Sequence, residues 1–178
     1  MGPLMYSLCQ KPVLGLVLYV TTACAFPALF RDAALPLQQA DARVVREFEA
    51  PVSKSYSLIM NFDFPSREAL ARDEVVGSSY HAQCDGNRTE IPLLHRAQLG
   101  RPIPIHVLIR DKRTGAVVVD RVFDTWCKTS AGGLGKTRTA GRFALAAGEY
   151  VADIRNLASQ PGLDGVKTTV ALVTGGAK

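Results

Sequence analysis

Hydrophobic and polar positions alternate most cleanly over YSLIMNFDF (56–64). Tyr56, Leu58, Met60, Phe62 and Phe64 share one face, while Ser57, Asn61 and Asp63 share the other. A sustained period of two with aromatics predicts a half-buried antiparallel strand. RVVREFEAP (43–51) predicts an earlier strand, ended by Pro51. In 103–127, Ile103, Ile105, Val107 and Ile109 alternate with Pro104, His106 and Arg110. Asp111 to Gly115 supplies a polar turn and AVVVDRVFDTW returns, so this stretch predicts a hairpin. Leu145, Gly148 and Tyr150 give the spacing L-x-x-G-x-Y ahead of another strand. In Greek-key sandwiches a tyrosine at such a corner buries its ring and bonds its hydroxyl to nearby backbone. After a turn at 158–165, VKTTVALVT (166–174) predicts the closing strand.

Two stretches break the alternation. SREALARDEVVG (66–77) has an N-cap serine, helix formers and a terminal glycine, which predicts a helix of two to three turns. Its acids Asp73 and Glu74 read as solvated. Residues 78–102 show no period and predict a long excursion, a length often associated with function. KTSAGGLGKTRTAGR (128–142) reads as a Gly-rich loop. The sum is a mainly β protein: an antiparallel Greek-key sandwich of immunoglobulin-like type with one short helix.

The first residues change the picture from fold to compartment. Lys11 precedes the apolar run PVLGLVLYV (12–20), and small residues follow at 21–25. That order is the one an export signal uses, and the run is too short for a permanent spanning helix. The expected organisation is therefore a lipoprotein-type signal at 1–24, a tether at 25–42 and the sandwich at 43–178. Ala23 before Cys24 suits lipidation of Cys24, whereas Ala23-Cys24-Ala25 also suits plain cleavage before Phe26. Acyl chains on Cys24 would hold the protein at a membrane, and the expected location is the periplasm, on the outer membrane.

Net charge is +5 for the whole chain, and near +4 once Lys11 is removed. Basic and acidic residues are interspersed with no basic cluster, which does not specify nucleic acid. In an oxidising compartment the remaining cysteines of the body, Cys84 and Cys127, are expected to pair.

Candidate chemistry is sparse. Gly135-Lys136-Thr137 matches the end of a phosphate-binding loop, but Ser130 stands where the motif needs its first glycine, and no helix is expected next. His81, Cys84, Asp85 and His95 cluster without a recognisable zinc spacing. No G-x-S-x-G elbow occurs. No catalytic residue, metal or cofactor is therefore assigned. The candidate contact residues are Tyr80, His81, His95, Arg96, Lys136 and Arg138, on the two stretches expected to be loops, and Trp126, at the end of the hairpin's returning strand. Trp126 is expected either to pack against a disulfide or to offer a stacking platform.

FEAPVSKSYSLIMNFDF, IPIHVLIRD, GRFALAAGEYVADIRNL and PGLDGVKTTVAL together resemble a bacterial family of small exported, often lipid-anchored proteins, domain-of-unknown-function family 5625. The resemblance runs over 43–174 and implies a β-sandwich in the cell envelope, with no activity attached. The expected function is a non-enzymatic envelope binding protein with a protein partner, most concretely an immunity-type lipoprotein against a periplasm-targeted toxin. The alternative is a module for glycan or anionic lipid.

Overall fold

The computed structural model describes residues 28–78, 91–96 and 99–174. Nine strands run in chain order: β1 (Phe30–Ala34), β2 (Arg43–Ala50), β3 (Lys54–Asp63), β4 (Ile103–Asp111), β5 (Val117–Thr125), β6 (Ser130–Gly132), β7 (Gly135–Leu145), β8 (Gly148–Asn156) and β9 (Lys167–Thr174). A five-residue helix, α1 (Arg67–Ala71), and a 3-10 turn (Leu93–His95) interrupt them between β3 and β4. The strands form two antiparallel sheets, ordered β1-β9-β3-β7-β6 and β2-β8-β4-β5, packed as a sandwich.

The alternation of β3 is realised as expected: Tyr56, Leu58, Met60 and Phe62 are buried between the sheets, and Phe64 continues the face. Ile103, Ile105, Val107 and Ile109 supply the facing layer from β4. The tyrosine corner also forms, with the Tyr150 hydroxyl donating to Ala146 O at 3.0 Å. Phe48 stacks on Tyr150, with ring centroids 5.6 Å apart.

Three expectations are corrected. Residues 30–42 are not a tether: β1 pairs with β9, and Leu35 and Leu37 are buried. The Asn156 amide completes this attachment by donating to Leu37 O and Gln39 O. The helix is shorter than expected. Ser66 caps it by accepting from Ala69 N, but the side chain of Asp73 turns back to accept from Val75 N and Val76 N, so the chain leaves the helical path. Lastly, 128–142 is not a loop but the β6–β7 hairpin, turning at Gly133, whose φ of 58° suits glycine.

Strand β7 carries a bulge. Leu58 pairs with Gly141 while Ile59 pairs with Thr139, which leaves Ala140 as an extra residue. The bulge switches which residues face inward, from Lys136 and Arg138 to Gly141, Phe143 and Leu145. Gly141 is required there because a Cβ would lie 2.5 Å from ring carbons of Phe123 on β5. Gly141→Ala is expected to cost about 1–3 kcal/mol in urea denaturation through overpacking. Phe123→Leu in the same chain should recover part of that loss.

Candidate functional site

The end of the sandwich where β3 and β5 finish and β4 and β7 begin carries the excursion between β3 and β4. Antiparallel register places the other chain ends opposite: β1 enters with Phe30 beside Leu172, and β9 finishes with Thr174 near Tyr56, at the start of β3. The excursion is held down by charge. On β7, Lys136 pairs with Phe62 and Arg138 with Met60, so both basic side chains point between the sheets. Lys136 is 7% exposed and Arg138 0%.

Arg138 fills its hydrogen-bonding fork with main-chain carbonyls from three segments. Its Nη1 donates to Arg101 O and Thr125 O, each at 2.8 Å. Its Nη2 donates to Val75 O and, at 3.0 Å, to Val76 O. Burial pushes the guanidinium down to about 10, and the nearby Asp73 carboxylate partly offsets this, so Arg138 stays charged at neutral pH. Planarity and five fixed donors make arginine the side chain for this task, because a lysine could not span the three segments. Gly100 provides the slot: a Cβ there would lie 1.8 Å from Arg138 Nη2 and 2.2 Å from Val75 O.

Lys136 completes the clamp. Its Nζ lies 2.6 Å from Asp73 Oδ2, with both side chains almost fully enclosed, and 5.4 Å from the centre of the Phe64 ring. Asp73 therefore does two things at once, capping the 75–76 turn with one oxygen and neutralising Lys136 with the other. It is not the solvated acid the helix pattern suggests. Beyond the clamp, Gly77 bridges to Leu99, and Gly100 N donates to Trp126 O.

A second small core sits on this end. Ile91 and Cys127 are buried, and Leu99 and Trp126 pack against them. Cys127 is one half of a disulfide, whose other half lies outside the described residues. Arg96 Nε donates to Ile91 O at 2.8 Å and secures the 3-10 turn. Held this way, Leu93 and Leu94 stand out at 77% and 91% exposed.

With this geometry in place, comparison with family models decides the kinship: the model for a domain of unknown function, DUF5625, matches residues 32–174. The chain belongs to the DUF5625 family. A crystal structure of a Sulfurospirillum deleyianum protein has the same fold, with a TM-score of 0.64 and 19% identity over 82% of this chain and 97% of that one. A Podospora anserina GH26-CBM35 β-(1,4)-mannanase aligns at a TM-score of 0.36 and 13% identity, over 86% of this chain and 23% of that one. Comparison with curated proteins finds no match.

The expected contact residues of this DUF5625 domain divide accordingly. Lys136 and Arg138 are corrected from contact residues to buried clamps. Trp126 is half-buried and packs inward, and Arg96 braces the turn that carries the leucines. His95 belongs to that turn. Tyr80, His81 and Cys84 lie outside the described residues, as do Cys24 and Asp85. Among the described residues no group of three His, Cys, Asp or Glu is arranged to hold a metal. Sequence reasoning missed Asp73, Gly100 and the leucine pair. Inward-pointing basic residues on a strand need an enclosed acid, and that was the signal for Asp73.

Asp73→Asn keeps the turn-capping oxygen but strands the Lys136 charge. We expect it to cost about 3–5 kcal/mol in denaturant unfolding, as for other broken buried pairs. Adding Lys136→Met should recover a substantial part of the loss. Equal stability of Asp73→Asn and wild type would show that the ion pair contributes nothing.

Proposed function

We propose that this protein is a non-enzymatic envelope binding protein, tethered at one end of its sandwich and offering the clamped end to a protein partner. Most concretely, it is an immunity-type lipoprotein that blocks a toxin reaching the periplasm. The observation that carries this reading is the investment at the clamped end. Two buried cations, an enclosed acid and a disulfide at Cys127 hold a segment whose described residues include two exposed leucines. Ordering a contact surface before binding lowers the entropy lost on association. Recognition also concentrates on loops that a rigid scaffold positions.

The same geometry suits an anchor at Cys24. Because β1 begins at Phe30, the chain from Cys24 to the fold spans at most about 20 Å. The ten-residue β3 extends about 33 Å along the sandwich. A lipid at Cys24 would thus hold the domain close to the outer membrane, with Leu93 and Leu94 facing away. In this reading Cys84 is the partner of Cys127. The alternative built on Trp126 and Tyr80 as a glycan or lipid platform has less support at this end, since Trp126 packs towards Ile91 and Cys127.

Affinity capture from envelope extract tests the reading. Wild-type protein should retain a partner that the double variant Leu93→Asp, Leu94→Asp retains at least about tenfold less well, the scale of losing a central apolar contact. Equal retention by both, or no retained protein, overturns it. Intact mass of the mature protein tests the anchor separately: acylated Cys24 is expected, and a free Phe26 terminus contradicts it.

A further inference from the structure

The outer faces of the two sheets differ in chemistry. On the β2-β8-β4-β5 sheet the outward residues include two cross-strand pairs, Arg43 with Asp153 at 2.5 Å and His106 with Asp120 at 2.7 Å, beside the exposed Val45 and Val122. This is an ordinary solvated face, with its charges arranged in cross-strand pairs.

The outer face of the five-stranded sheet is built otherwise. Register sets its outward residues in rows that cross the strands. Thr169, Asn61, Thr137 and Ser130 form one row, on β9, β3, β7 and β6. The adjacent row is Ala171 and Ile59. The hydrogen-bonding row is already interlinked, with Asn61 Nδ2 3.4 Å from Thr169 Oγ1, and Ser130 Oγ 2.9 Å from Thr137 Oγ1. These residues line a trough of about 500 Å³, within which Thr169 and Ala171 are buried and Ile59, Asn61 and Thr137 are half-buried. Arg31 and Asp32 rise on one rim and Asp63 on another. Asp32 sits at φ 52° within the irregular pairing of β1 with β9.

A trough of this volume falls in the range of small-ligand sites. It crosses five strands, so it extends about 19 Å at the usual strand spacing. Hydroxyl and amide groups both donate and accept, so the polar row matches a ligand that carries many hydroxyls. The aliphatic row beside it matches the C–H faces of the same ligand. An acidic peptide would meet Asp32 and Asp63, and an anionic polymer would meet, among the described lining residues, Arg31 and Lys136, of which Lys136 is already neutralised by Asp73.

We propose that this trough binds a neutral oligosaccharide laid across the strands. The trough adjoins the clamped end at Asp63, Gly135 and Lys136 but is not lined by Leu93 or Leu94. The purified protein, isotopically labelled, would be titrated with cellohexaose, chitohexaose and maltoheptaose and followed by amide NMR. At least one sugar should cause saturable shifts centred on Asn61, Thr137 and Thr169. Asn61→Ala and Thr137→Val should each weaken that binding by about tenfold, the effect of one lost hydrogen bond in a protected site. The Leu93→Asp, Leu94→Asp variant should bind the sugar like wild type. No saturable shift from any of the three sugars overturns the proposal, as does binding that both trough variants leave unchanged. Either failure leaves partner capture at the leucine end unaffected, so the two claims stand or fall separately.

Discussion

A guanidinium enclosed between two sheets must satisfy its donors inside the protein, and Arg138 does so with main-chain carbonyls from three segments. Val75, Val76, Arg101 and Thr125 lie far apart in the chain, and one side chain joins them. Among its described residues the excursion between β3 and β4 forms only α1, which buries no residue, and the short 3-10 turn. What gives it a fixed path is the clamp beneath it. A charge buried without partners would cost several kcal/mol, so the path of the excursion and the burial of Arg138 require each other.

Lys136 and Asp73 extend the same logic one turn further. Their ion pair closes the first leg of the excursion onto β7, and the core around Ile91 and Cys127 closes the last leg onto β5. Between those two supports the 3-10 turn is free to present apolar side chains without losing its position. Replacing such a buried polar cluster with well-packed apolar residues is often neutral or even stabilising in other proteins. A fold needing only stability has no use for it. Under the proposed function, a surface ordered before it meets a partner does.

Much of the sandwich was legible because strands with one buried face write their period into the chain. β3 and β4 are the clearest cases, and the tyrosine corner adds a fixed spacing. β7 was illegible for a physical reason. Its first inward positions are Lys136 and Arg138, an inverted pattern that imitates a solvated loop, and the bulge at Ala140 then shifts the phase by one residue. The short β1 fails for a related reason: its irregular pairing and the left-handed Asp32 erase any alternation. The leucine pair could be read only after the clamp was known, because exposure is a property of the fold and not of Leu93 or Leu94.

Backbone hydrogen exchange in an Arg138→Met variant tests the clamp most directly, since methionine keeps an unbranched apolar stem and removes every donor. The account predicts faster exchange confined to amides around 75–77 and 99–101, with β3, β4 and β9 protected as in wild type. Loss of protection spread evenly over both sheets would contradict it, as would unchanged protection in the excursion. The first would make Arg138 a general core residue, and the second would mean that something other than Arg138 holds this end in place.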